Sequence, residues 1–267
     1  MNADKENGWL LHASTICGPY DPHMSQGELH VNKPGRLALV GSGEYLPVMQ
    51  AFEADLIARG PSNKYVQLAT AAGRESADRR GYWERIGAEQ AVRIGAEHVF
   101  IPVFNREDAM NEEYAAMVEG AGLIYLSGGD PHYLSETLSG TPVWDAIERN
   151  WQAGSSLAGC SAGAMAMGPD IPNFRKMKAE GSIGLGVLPH IRTIPHYNKF
   201  FGWIPDAAAQ LFLKAPDHIT VTGIDEETAL WSDDLVTWNV SGRGAVHLLT
   251  GAKTGKFQDG QQLTFGN

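Results

Sequence analysis

The chain has 267 residues, of which 43% are hydrophobic and 19% charged, a balance that excludes wholesale disorder and supplies enough apolar surface for a core. Acidic side chains outnumber basic ones 31 to 21, for a net charge of −10, so no basic excess exists to displace counterions from nucleic acid or to grip an anionic membrane. Cys17 and Cys160 make neither a disulfide scaffold nor a CxxC pair for metal or redox work, and the opening residues lack the charged-then-apolar pattern of a secretory signal. A soluble, cytoplasmic protein is expected, since no apolar run reaches the length of about 18 residues that spans a membrane.

Residues 1–35 show no sustained periodicity and end in the turn-like Asn32-Lys33-Pro34-Gly35, so they read as an extension of uncertain order. From residue 36 the pattern becomes regular, and 36–267 reads as a single catalytic domain. Short runs that are apolar on both faces, at 37–40, 65–70, 98–104, 123–126 and 156–159, suit buried strands of a parallel sheet. Amphipathic stretches at 46–59, 80–94, 111–118 and 141–151 lie between them, and this alternation predicts an α/β fold with a doubly wound, mostly parallel sheet sandwiched by helices. After residue 215, runs at 218–224, 229–232, 235–241, 245–250 and 262–265 read as antiparallel strands extending that sheet. Met165, Met167 and the cluster Phe200, Phe201 and Trp203 read as core.

The segment that carries chemistry is Gly159-Cys160-Ser161-Ala162-Gly163, a G-x-S-x-G at the end of one predicted strand and the start of a helix. The bare pattern is weak in a chain with 31 glycines, but a nucleophile on a sharp strand-to-helix turn needs small neighbours of this kind. The helix start would aim free N–H groups and a positive dipole end at Ser161. Cys160, one residue earlier, points away from such a turn and reads as a small buried hydrophobe. Ser127-Gly128-Gly129-Asp130 closes the preceding strand on the same sheet edge. The amide of Gly129, with or without Gly128, and that of Ala162 are therefore the candidate oxyanion hole.

Of nine histidines, His196 ends the short run 190–196 on the edge expected to hold Ser161, which makes it the candidate base. Between Ser161 and His196 only two carboxylates occur, Asp170 directly after the elbow helix and Glu180 in the basic stretch 175–180. Asp170 is the favoured acid and Glu180 the alternative.

In order and spacing, Ser127-Gly128-Gly129, the Gly159–Ala164 elbow, Gly184-Leu185-Gly186-Val187-Leu188-Pro189, Pro195-His196-Tyr197 and Gly223-Ile224-Asp225-Glu226-Glu227-Thr228-Ala229-Leu230 resemble peptidase family S51, over about residues 36–250. That family contains the aspartyl dipeptidase peptidase E and the cyanophycinases. The resemblance implies a fold like the class I glutamine amidotransferases, with serine in place of their cysteine, and a Ser–His–acid hydrolase that uses no metal or other cofactor. Ser161 and His196 match its nucleophile and base. Asp170-Ile171-Pro172 resembles the segment that carries the acid in peptidase E, and a glutamate of the corresponding cyanophycinase region keeps Glu180 in view. The chain departs from cyanophycinase at Asp130-Pro131, after the glycine pair, and at Ile194-Pro195, before the histidine. Asp225-Glu226-Glu227 is a further landmark, read equally as capping or supporting the site or as contacting substrate.

The expected partner is a small peptide substrate, with no nucleic acid and no membrane; the C-terminal strands offer an edge for a homodimer. An aspartyl substrate would need a cation, for which Arg175, Arg192 and Lys199 are candidates, each otherwise a surface charge. Two other readings remain. An α/β-hydrolase esterase would pair Ser161 with His247 and Asp217 or Asp225. A binding protein on the same fold would keep the elbow only for packing.

Overall fold

The computed structural model describes residues 33–173, 178–199, 213–251 and 254–265. The extension expected over 1–35, apart from Lys33, Pro34 and Gly35, lies outside the described residues, as do Arg175 and the cluster Phe200, Phe201 and Trp203.

Five short apolar runs form the centre of the sheet: β1 (Leu37–Val40), β2 (Lys64–Leu68), β3 (Glu97–Phe100), β4 (Leu123–Leu126) and β5 (Ser156–Cys160). They pair in parallel in the order β1-β5-β4-β2-β3. β1, β4 and β5 are buried along their whole length, which is why their sequences do not alternate. Edge strand β3 is the exception: Glu97 is exposed and its other residues are partly exposed.

Side chains alternate between two apolar layers. Ala38, Val40, Tyr65, Leu123, Tyr125, Ala158 and Cys160 pack on one face with residues of α1 (Gln50–Arg59) and α2 (Ala77–Ile94). Leu37, Leu39, Val66, Leu68, Ile124, Leu126 and Leu157 pack on the other, against α5 (Pro131–Leu138), α6 (Pro142–Gln152) and α7 (Ala162–Ala166), with the short α3 (Arg106–Ala109) and α4 (Glu112–Ala116) alongside. This is the expected α/β sandwich. Met165 and Met167 are buried in the second layer.

Two hairpin strands, β6 (Asp170–Asn173) and β7 (Lys178–Ile183), follow the elbow helix where no strand was expected. The remaining strands are β8 (Ile191–Ile194), β9 (Thr220–Ile224), β10 (Thr228–Ser232), β11 (Thr237–Gly242), β12 (Ala245–Leu248), β13 (Gly255–Gln258) and β14 (Gln262–Thr264). β10, β11 and β14 extend the main sheet in antiparallel fashion beyond β1, as expected. β9 and β12 do not; with β8 and with β13, where no strand was expected, they make a separate four-stranded sheet in the order β13-β12-β9-β8. The reason is β8 itself, a strand buried at every position, which takes the apolar β9 as a parallel neighbour.

One buried acid marks the first layer. Glu53 of α1 is fully buried, accepts hydrogen bonds from the Tyr45 amide at 3.1 Å and the Tyr65 hydroxyl at 3.2 Å, and has its carboxyl pushed up by burial to about 7. A carboxyl that ionises at an ordinary 4.5 in the unfolded chain, but only near 7 in the fold, favours unfolding increasingly across that window. Wild type is therefore expected to lose on the order of 3 kcal/mol relative to Glu53→Gln between pH values of about 4.5 and 7, with no further change above. Denaturant midpoints of both proteins across this range test it; a difference independent of pH would overturn it.

Candidate active site

Ser161 sits between β5 and α7 at φ 50° and ψ −106°, conformations that ordinary side chains avoid. Its amide is held by the Val40 carbonyl at 2.9 Å. The flanking glycines are required by close approach. A Cβ at Gly159 would lie 2.6–2.9 Å from the Gly163–Ala164 backbone, and one at Gly163 would lie 2.4 Å from the Leu126 carbonyl oxygen. The G-x-S-x-G pattern is thus the condition for packing the elbow against β4.

His196 lies just beyond β8, also at positive φ, with its amide donating to the Gly41 carbonyl at 3.3 Å. Its Nε2 is 3.0 Å from Ser161 Oγ. Its Nδ1 is 3.1 Å from Oε1 of Glu226. A ring that accepts the serine proton at Nε2 carries its own hydrogen at Nδ1 and donates it to Glu226, so the network selects the tautomer. Glu226 sits in the turn between β9 and β10. There its amide donates a hydrogen bond to Asn198 Oδ1 at 3.1 Å, its carbonyl accepts one from Thr228 Oγ1 at 3.1 Å, and Glu227 at φ 54° completes the bend.

Asp170 does not reach His196. In the structure it faces Arg192, with its two carboxylate oxygens 3.2 and 2.6 Å from Nε and Nη2. Arg192 lies in buried β8, so its guanidinium takes a fork of carboxylate oxygens from the neighbouring β6. This also removes Arg192 from the surface charges; Lys199 is exposed. The Glu180 side chain lies outside the described residues. His247 does pair with Asp225, at 3.1 Å, but its ring packs on Tyr197 with centroids 4.5 Å apart, and the serine is on His196.

Opposite the elbow, Gly129 has φ 141°, and a Cβ there would come within 2.5 Å of the Ala71 carbonyl group. Among the described residues neither the Gly129 amide nor the Ala162 amide has an acceptor. Both are therefore available to an oxyanion. Gly128 is not: its amide donates to Glu44 at 3.0 Å. α7 has only five residues, so what it offers Ser161 is a local N–H group rather than a long macrodipole. Cys160 is buried, its thiol donates to Glu44 Oε2 at 2.8 Å, and burial raises its pKa well above the ordinary value, which leaves it unreactive.

Of five non-glycine residues with positive φ among those described, Tyr45, Ser161, His196 and Glu227 surround this site; only Leu235 lies in a distant turn. Strain concentrated at one place is a mark of a functional constellation. Among the described residues no three His, Cys, Asp or Glu side chains gather as a metal site, and no helix is long and apolar enough to cross a membrane.

The profile of peptidase family S51 matches residues 37–236. A cyanophycinase of Trichormus variabilis is 30% identical over 204 residues, covering 71% of this chain and 64% of the relative. A cyanophycinase of Synechococcus elongatus is 32% identical over 170 residues, covering 58% and 50%. The match thus spans less than two thirds of these relatives' length. Among solved structures, a peptidase from an acI-B1 Actinobacterium superimposes with a TM-score of 0.84 at 46% identity, covering 88% of this chain and 98% of that one.

Proposed function

The chain belongs to peptidase family S51, and we propose that it is a serine peptidase that hydrolyses short peptides, with aspartyl peptides one candidate class, through an acyl-enzyme on Ser161. The observation that carries this reading is the continuous chain Ser161 Oγ, His196 Nε2, His196 Nδ1 and Glu226 Oε1, with steps of 3.0 and 3.1 Å. His196 takes the Ser161 proton as Oγ attacks the peptide carbonyl, and Glu226 stabilises the imidazolium that results. The amides of Gly129 and Ala162 receive the developing oxyanion. Protonated His196 then gives its proton to the leaving amine, and water repeats the sequence to free the acid and restore the serine.

Two facts support a short peptide over cyanophycin itself. The residues after the glycine pair and before the base, Asp130-Pro131 and Ile194-Pro195, depart from the cyanophycinase pattern. The solved relative with the highest identity given above, 46%, is named only as a peptidase. Against the esterase alternative stands the 3.0 Å contact of Ser161 Oγ with His196, although His247 does pair with Asp225 as that reading requires.

The test is a hydrolysis panel of free dipeptides Asp-X, the isopeptide β-Asp-Arg, N-blocked longer peptides and simple aryl esters, with released amine measured for the peptides. Turnover of aspartyl dipeptides well above the blocked peptides is expected. Rapid ester turnover with every peptide untouched would overturn the reading.

A further inference from the structure

Among the described residues, Glu44 is an acid beside the nucleophile to which the mechanism gives no task. It is 8% exposed, and both its oxygens are engaged by donors from the two strand ends that build the site. Oε1 accepts the Gly128 amide at 3.0 Å, and Oε2 accepts the Cys160 thiol at 2.8 Å. Gly128 immediately precedes Gly129, and Cys160 immediately precedes Ser161. A Cβ on Gly128 would lie 2.9 Å from Glu44 Oε1 and 3.5 Å from the Ser161 Cβ, so the carboxylate and the nucleophile both lie close against Gly128.

The adjoining residues strengthen this grip. Tyr45, at φ 62°, shares a 2.6 Å hydrogen bond between its hydroxyl and Ser127 Oγ, and its own amide is held by Glu53 at 3.1 Å. Upstream, the Val40 carbonyl takes the Ser161 amide, that of Gly41 the His196 amide, and that of Ser42 the Glu227 amide. The segment after β1 therefore contacts the carriers of nucleophile, base, acid and oxyanion donors. Glu44 is its side chain that reaches both strand ends.

We propose that Glu44 is a positioning residue that turns the Gly128 N–H inward and so aims the Gly129 N–H at the oxyanion, with the Cys160 thiol fixing the carboxylate from the other side. Pinning the Gly128 N–H fixes the 127–128 peptide plane, the starting point from which the two dihedrals of Gly128 set the direction of the Gly129 N–H. The carboxylate itself touches no substrate atom; it acts through the Gly128 amide. This assignment rests on the serine-peptidase reading.

The probe is an alkyl fluorophosphonate. Ser161 Oγ forms a bond to phosphorus, fluoride leaves, the serine proton passes to His196, and the phosphoryl oxygen occupies the oxyanion hole. Labelling rates are measured against probe concentration for wild type, Glu44→Ala and Glu44→Gln. Glu44→Ala is expected to lower the saturating rate about 10²-fold, as loss of one oxyanion donor does, with the half-saturating concentration unchanged. Glu44→Gln keeps an oxygen for the Gly128 amide and is expected to recover to within about 10-fold of wild type by the same reasoning. Melting temperatures identify any variant that fails to fold, in which case Glu44→Gln and Cys160→Ala carry the comparison, the latter expected to slow labelling only a few-fold because Gly128 stays held. A wild-type saturating rate in Glu44→Ala overturns the assignment while leaving the peptidase reading intact. So does a rate that falls only through weaker probe binding. Wild-type protein that is not labelled at Ser161 overturns both.

Discussion

Replacing Ser161 by alanine is expected to lower kcat/KM for the best aspartyl dipeptide by about 10⁴- to 10⁶-fold, with binding of the uncleaved peptide changed by no more than a few-fold. The elbow should survive the change. Alanine meets the same strained φ of 50° as serine, the surrounding contacts of Gly159 and Gly163 involve backbone, and the amide hydrogen bond to the Val40 carbonyl is retained. Only Oγ and its 3.0 Å contact with His196 are lost. His196→Ala should fall by a comparable factor, and the double variant should be no slower than either single one, because nucleophile and base act as a unit. Additive losses would mean that the two side chains serve separate steps, and turnover surviving in Ser161→Ala would remove it as nucleophile. Steady-state kinetics on purified variants, with isothermal calorimetry for peptide binding, reads both quantities.

The parts of this site that depend on local chemistry are legible in the chain. A strand buried on both faces shows as an unbroken apolar run, and 37–40 and 123–126 coincide with β1 and β4 residue for residue. The elbow needs glycines at fixed offsets from its serine, so contiguous residues record it. The acid is different, because it depends on which distant strands become neighbours. Between Ser161 and His196 the sequence holds two carboxylates, Asp170 and Glu180. In the fold, β8 and β9 run parallel with Ile194 beside Gly223, so the residues just beyond the two strands meet, His196 from one and Glu226 from the other. No periodicity within either segment announces that pairing. The available signal was the polar run Asp225-Glu226-Glu227 directly after an apolar strand, on the edge where active sites form. The assignment of β9 and β12 to a second sheet is hidden for the same reason, since an apolar run specifies burial but not its partner.

Glu226→Gln and Asp170→Asn should separate the two carboxylates by both rate and stability. The Glu226 oxygen accepts from His196 Nδ1. An amide placed there can turn its NH₂ toward Nδ1, which stabilises the tautomer with hydrogen on Nε2, and that nitrogen can then no longer take the serine proton. Loss of the charge also leaves the imidazolium without its counterion. A fall of about 10⁴-fold in kcat at neutral pH is expected, with folding stability nearly unchanged because the side chain is 30% exposed. Asp170→Asn acts elsewhere. It removes the charge that two guanidinium nitrogens of buried Arg192 share, and asparagine offers one oxygen where the fork used two. Replacing one partner of a well-buried pair can lose 3–5 kcal/mol, but Asp170 is itself 30% exposed and water screens it. A loss of about 1–3 kcal/mol is therefore expected, with kcat of the folded fraction within a few-fold of wild type. Denaturant titration and kcat on the same preparations give the two axes. The reverse pattern, in which Asp170→Asn abolishes turnover and Glu226→Gln retains it, would return the acid to Asp170 and require β6 to swing toward His196 in the working enzyme.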